Sequence, residues 1–193
     1  PECDKYFEDN YLLKCPKHDN LIMSKYPTDQ FVEPRKNGIW KFSNWLPINS
    51  EGNLDSGPIT YKSKELAKEL GLKNLFISFN GYWPEKNANV KSCTFKEYEA
   101  LVTYQRLLDY GYKGVYLASA GNTARAFGQI SQKVGIPAII FVPESNRHNF
   151  WSYDDDFENI NFVTLSGDSD YTDAIQLARK FSDQSLFVLE CGA

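Results

Sequence analysis

The chain has 193 residues, 42% of them hydrophobic and 15% aromatic, which suffices for a real core in one large domain or two small ones. Its 25 acidic and 21 basic residues leave a net charge of −4, and no basic run is dense enough to track a phosphate backbone, so nucleic acid is not expected as a partner. The longest apolar run, Ala138 to Val142 between Pro137 and Pro143, is far too short to span a bilayer, so no membrane association is expected either. No basic-then-apolar leader opens the chain, and four cysteines at this length do not make a disulfide framework. A soluble cytoplasmic protein is expected. Pro1 stands where a Met would, which points to a natural start further upstream.

Residues 1–26 read as a small unit of their own, with Cys3, Cys15 and His18 around the apolar patch Tyr11-Leu12-Leu13. Residues 27–58 are rich in Pro, Gly, Asn and Ser and read as loop, with Trp40, Phe42 and Trp45 forming a short helical turn against the core. Ile59 to Tyr61 reads as a strand. Ser63 is placed to cap a helix running through Leu70 and ended by Gly71. Leu75 to Phe79 reads as a strand, and 80–93 as a long loop. Thr94-Phe95-Lys96-Glu97 has the form of a capping box opening a helix on which Phe95, Leu101, Tyr104 and Leu108 recur at helical spacing, up to Gly111.

From there strands and helices alternate. Val115 to Ala118, Ala138 to Val142, Phe162 to Leu165 and Leu186 to Leu189 read as strands, and Thr123 to Val134 and Tyr171 to Phe181 as helices. Such alternation predicts an α/β fold of parallel βαβ units. Three segments follow: 1–26, 27–113 carrying Lys96, and 114–193 as a smaller α/β unit with a return strand.

Two stretches could carry chemistry. The predicted capping box puts Lys96 at the positive pole of its helix, where a cation is disfavoured, and a neutral amine is what covalent attachment to a carbonyl needs. On position alone, an ordinary surface lysine is the plainer reading. Ser119-Ala120-Gly121-Asn122-Thr123 joins an apolar strand to a helix. Ligands bind outside the carboxyl ends of parallel strands, and free N–H groups at a helix start attract anions. Gly121 allows a close backbone approach, and Asn122 and Thr123 add polar side chains. By itself the loop is equally an ordinary strand-to-helix turn with Ser119 or Asn122 as N-cap. Arg125, in the first turn of that helix, is either a receptor for an anion or a solvent-facing residue.

Together the two stretches resemble the signatures of fold-type II pyridoxal-phosphate (PLP) enzymes: Thr94-Phe95-Lys96 is similar to their Ser-Phe-Lys, and Ser119 to Thr123 to their Ser-x-Gly-Asn-Thr. The nearer resemblance is to the cysteate synthase family, relatives of threonine synthase. It runs through Gly38-Ile39-Trp40, Trp45-Leu46-Pro47, Gly57-Pro58-Ile59-Thr60-Tyr61, Gly81-Tyr82-Trp83-Pro84-Glu85, Cys93 to Glu97, and Ala124-Arg125-Ala126-Phe127. Cys93-Thr94 departs from the Gly-Ser, and Glu97 from the Asp, of many relatives.

The resemblance implies a tryptophan synthase β-like fold and PLP as cofactor, held covalently by Lys96. Asn122 would donate to the 3′-oxygen of the ring. Ser119, Ala120, Gly121 and Thr123 would meet the substrate carboxylate, with Arg125 nearby for dianions. The implied reaction is β-replacement: O-phospho-L-serine and sulfite give L-cysteate and phosphate, Lys96 removing and returning the α-proton. The alternatives are a threonine synthase or other PLP-dependent replacement, and a non-catalytic subunit that keeps the fold.

Family members hold the cofactor phosphate with a Gly-rich loop in a C-terminal half, for which this chain has no counterpart. A second chain or C-terminal half completing the site is therefore expected, in an oligomer. The resemblance also implies a zinc-ribbon-like start. Cys15-x-x-His18 has ligand spacing, but structural zinc takes four ligands and Cys3, Cys15 and His18 are three, so a degenerate ribbon without metal is expected unless a fourth precedes Pro1. Cys93 and Cys191 are expected to be structural, and Asp154-Asp155-Asp156 a solvated loop.

Overall fold

The computed structural model describes residues 3, 5–12, 14–18, 20–26, 29, 36–54, 57–119, 121–151, 158–182 and, for the backbone, 187–190. Ala120, Leu13, Asp154 to Asp156, Leu186 and Cys191 lie outside the described residues.

A 3-10 helix, Gly38–Trp45, comes first. Only Trp40 of its aromatic cluster is buried, its Nε1–H donating to the Leu54 carbonyl at 2.7 Å; Phe42 and Trp45 stay exposed. Strand β1 (Ile59–Lys62) and strand β2 (Phe76–Phe79) pair antiparallel around helix α1 (Lys64–Glu69). Ser63 occupies the N-cap of α1 without a side-chain hydrogen bond. The stretch expected to be loop after β2 contains a two-stranded ribbon, β3 (Tyr82–Trp83) with β4 (Ala88–Asn89), turned by a 3-10 helix at Pro84–Lys86. Asn87 turns the chain with φ +61, a left-handed conformation that Asn tolerates well among non-glycine residues.

Helix α2 (Lys96–Tyr110) ends where Gly111 takes φ +74. Strand β5 (Gly114–Ala118), helix α3 (Asn122–Val134), strands β6 (Ala138–Pro143) and β7 (Ile160–Leu165), helix α4 (Tyr171–Ser182) and strand β8 (Phe187–Glu190) follow. The four strands make one parallel sheet in the order β7-β6-β5-β8. This is the α/β fold with parallel pairing that the alternation of elements predicts.

Period-2 alternation in β5 divides the core. Val115 and Leu117 pack with Leu101, Tyr104 and Leu107 of α2 and Phe127 and Ile130 of α3. Tyr116 and Ala118 pack on the other face with Phe141 and with Ala174 and Ala178 of α4. All five residues of β5 are buried, as expected for a strand covered on both sides. The chain runs from β5 outward to β6 and β7, then returns through α4 to place β8 on the opposite side of β5. The strand order thus reverses at β5.

Among the described residues of the first 26, Tyr11 faces the rest of the chain. Tyr11 packs edge-on against Tyr110 and Tyr112, at 5.6 and 5.1 Å between ring centroids, and joins the main core. Asp9 makes a bidentate pair with Arg106 of α2, at 2.7 and 2.8 Å.

Candidate functional site

In doubly wound sheets, ligands lodge outside the carboxyl ends of the strands where the strand order reverses. Here that point is the end of β5, and the chain leaving it is Ser119. Ser119 Oγ accepts a hydrogen bond from the Gly121 N–H at 3.2 Å. Gly121, not Ser119 or Asn122, is the N-cap of α3, and among the described residues no side chain caps the helix. The amides of its first turn therefore lack the side-chain acceptor that usually satisfies one of them. A Cβ built at Gly121 would meet no atom within 4 Å, so the space before the helix is open.

Asn122 is exposed and is the first helical residue; Thr123 is buried behind it. Arg125 Nη2 donates to Asn122 Oδ1 at 2.5 Å, and its guanidinium lies 3.9 Å from the Trp151 ring centroid. Arg125 Nε is buried and has no hydrogen-bond partner among the described residues. Burial lowers the Arg125 pKa, while the nearby Cys93 thiol opposes that shift. Arg125 is partly buried, and no described contact ties it to a carboxylate. Its cation stacks on an aromatic face at the mouth of the loop.

Lys96 opens α2, but not through a capping box. Thr94 Oγ1 accepts from the Lys96 N–H at 3.3 Å, and Phe95 stands at the N-cap. The reason lies in Glu97. Its side chain is fully buried, and instead of reaching back to Thr94 it accepts from the Ser92 N–H at 3.0 Å and the Ser92 hydroxyl at 2.7 Å. Its other oxygen accepts from Lys133 Nζ of α3 at 3.2 Å. A buried carboxylate needs such partners, and Ser92 and Lys133 satisfy it where a helix cap could not.

The segment around Lys96 is therefore tied to α3 through Glu97, which accepts from Lys133. The Lys96 ammonium donates to Glu99 at 2.7 Å, and its side chain is 16% exposed. Cys93 itself holds φ +53, a left-handed backbone that costs a side chain free energy and suits glycine.

Ser92, Glu99, Lys133 and Trp151 were not singled out in the sequence. Glu99 was visible as an i,i+3 partner of Lys96. Trp151 and Lys133 carry no local signal, since only the tertiary fold brings them to Arg125 and Glu97. Away from this region, the ligand atoms of Cys3, Cys15 and His18 all lie within 4.8 Å of one another. The Lys17 N–H, the His18 ring and the His18 N–H act on the Cys15 sulfur, and hold the thiol at about 7 against the effect of burial. No described helix is long and apolar enough to cross a membrane.

No protein-family model matches the chain. Curated proteins do. Cysteate synthase of Methanosarcina barkeri is 42% identical over 192 residues, spanning 100% of this chain and 46% of that protein. The cysteate synthases of Methanosarcina acetivorans and Methanocella paludicola are 41% and 40% identical, with 46% and 45% of their lengths covered. The chain thus spans about half the length of the curated relatives it matches, in their N-terminal portion. Among solved structures, an ACC deaminase homologue superposes with a TM-score of 0.51 at 12% identity, over 76% of this chain and 45% of that one. At that identity the likeness is one of fold. From one end to the other, then, this chain resembles the N-terminal part of the cysteate synthases, the resemblance its own motifs carry.

Proposed function

We propose that this chain is the lysine-bearing part of a PLP-dependent β-replacement enzyme with a tryptophan synthase β-like fold, making L-cysteate and phosphate from O-phospho-L-serine and sulfite. The observation that carries the reading is the place where the chain leaves β5 at Ser119, at the reversal of strand order, with the Lys96 segment anchored through Glu97 and Lys133 to the helix that follows. The similarity to cysteate synthases supports L-cysteate as the product, and the fold shared with an ACC deaminase homologue supports the PLP scaffold.

The residues present fit the cofactor. Gly121 leaves open space before an uncapped helix, and Arg125 Nε is a buried donor still unmatched. Lys96 would hold PLP covalently once its Nζ turns from Glu99. Asn122 offers Nδ2 to the ring oxygen while Arg125 keeps its Oδ1. Bound PLP supplies an electron sink for charge developing at the substrate α-carbon. Lys96 Nζ, once the substrate amine has displaced it and left it a free amine, would take the α-proton and later return it. Ser119 Oγ and the first amides of α3 orient the carboxylate, and Arg125 draws in the dianionic substrates.

The PLP phosphate needs a cradle of N–H groups beyond the Ser119 turn. We assign that cradle to a second chain or to the part of the relatives this chain does not span. Steady-state assays on the assembled enzyme test the substrate assignment. Phosphate release from O-phosphoserine that requires sulfite is expected; turnover of O-phosphohomoserine alone would replace this reading with a threonine-forming one.

A further inference from the structure

Glu97 follows Lys96 in the chain and is fully buried, yet it takes no part in the chemistry proposed above. Its Oε2 accepts from both the N–H and the hydroxyl of Ser92, at 3.0 and 2.7 Å. One carboxylate oxygen thus closes the stretch from Ser92 to Glu97 into a loop. Ser92 and Thr94 are buried with it, while Cys93 and Phe95 are exposed. Lys96 is the residue that this loop delivers to the start of α2.

The loop contains a conformation that its sequence does not favour. Cys93 has φ +53, and its N–H donates to the Val90 carbonyl at 3.1 Å. A left-handed backbone at a residue with a Cβ is disfavoured by about tenfold. It persists only where the surrounding structure holds it, whereas glycine takes it without that bias. Here the hold comes from Glu97. The Ser92 N–H beside Cys93 has the Glu97 carboxylate as its acceptor, and the Glu97 N–H donates back to the Thr94 carbonyl at 3.1 Å. The other carboxylate oxygen is fixed by Lys133, in the last turn of α3, at 3.2 Å. Unwinding the turn would strand a buried N–H and a buried carboxylate together.

We propose that Glu97 is a positioning residue for Lys96: by clamping Ser92 and pairing with Lys133, it keeps the Cys93 turn wound and holds the Lys96 amine at one place relative to α3. It acts through the main chain, not on the reacting atoms. The role rests on Lys96 being the residue that PLP modifies, as proposed above.

Two readouts on the full chain test this. The first is independent of PLP: amide hydrogen exchange over residues 92–98. Losing the acceptor of a buried N–H should raise exchange there by about fivefold or more in Glu97→Ala. The second is the borohydride-fixed pyridoxyl label on Lys96 relative to exposed Lys68 of α1, per folded molecule. It should fall in Glu97→Ala and fall less in Glu97→Gln, whose amide oxygen still accepts from Ser92. Adding Cys93→Gly to Glu97→Ala should recover both readouts, since glycine needs no clamp. Ile140→Val, which removes a buried methyl from β6, should move neither. If Glu97→Ala does not fold, Ser92→Ala removes one of the two clamp bonds and should move both readouts in the same direction. An unchanged label ratio in the clamp variants, or no recovery from Cys93→Gly, would overturn the positioning role and leave Glu97 a core residue only. A parent chain unlabelled at Lys96 would instead strike the reading of Lys96, and this role with it, whatever the exchange shows.

Discussion

Asn122 shows how one side chain can serve two partners. Its Oδ1 accepts from Arg125, which leaves Nδ2 as the donor the amide can offer a ligand. Asn122→Ala should leave the fold intact and weaken PLP binding by about 1.5–3 kcal/mol, the worth of a hydrogen bond to a charged acceptor. Titration of PLP absorbance measures it, and unchanged affinity with an unchanged spectrum would remove Asn122 from the site. Glu97 calls for a different argument. Truncating it strands the buried Ser92 N–H, so Glu97→Ala should cost about 1–3 kcal/mol in urea unfolding. A loss below 0.5 kcal/mol, on the order of a surface substitution, would contradict the buried network. The sequence marked Lys96, Asn122 and Arg125 through their neighbours. It misassigned Glu97, because a Thr-x-x-Glu spacing states only that a cap is possible, and a tertiary partner such as Lys133 is invisible to it.

Among the elements, α2 and α3 share the largest part of the core, and Phe127 stands between them. It is fully buried and meets Tyr104 at 5.7 Å between ring centroids. Phe127→Ala should cost about 3–5 kcal/mol, measured by urea denaturation, because the cavity has rigid walls on both helices and β5. One part of the tie between the first segment and α2, the Asp9–Arg106 pair, is electrostatic and depends on pH. The hydrogen bond from Arg106 holds the Asp9 carboxyl below its ordinary value of 3.8, burial opposing. A carboxylate lowered on folding stabilises the native state above about pH 4, and that contribution is lost as pH falls through the folded value. Asp9→Asn should therefore reduce stability at neutral pH by about 0.2–1 kcal/mol, since Asp9 is half exposed, and leave it unchanged in strong acid. Equal losses at both extremes would rule the pair out as the cause. Helix and strand types were legible from period, as β5 and α3 illustrate. The β3–β4 ribbon was not, because two-residue strands are too short to show a period and arise from the turn at Asn87.

For the whole molecule, the sequence predicted a parallel sheet but could not give its order. The reversal at β5 depends on β8 returning across the sheet, a long-range pairing that leaves no local trace. Once the order is known, the Ser119 turn moves from a commonplace strand-to-helix connection to the place where such sheets hold ligands. The same architecture bears on the cofactor phosphate. With the Ser119 turn engaged by substrate and ring, residues 1–193 by themselves should bind PLP weakly. Joining them to the remaining sequence of a relative should raise affinity and colour together, and tight stoichiometric binding by 1–193 would refute the divided site. The most direct measurement is borohydride reduction of the PLP-treated protein followed by peptide mapping. The account predicts a single pyridoxyl label on Lys96; a label on another lysine, or one spread over many, would contradict it.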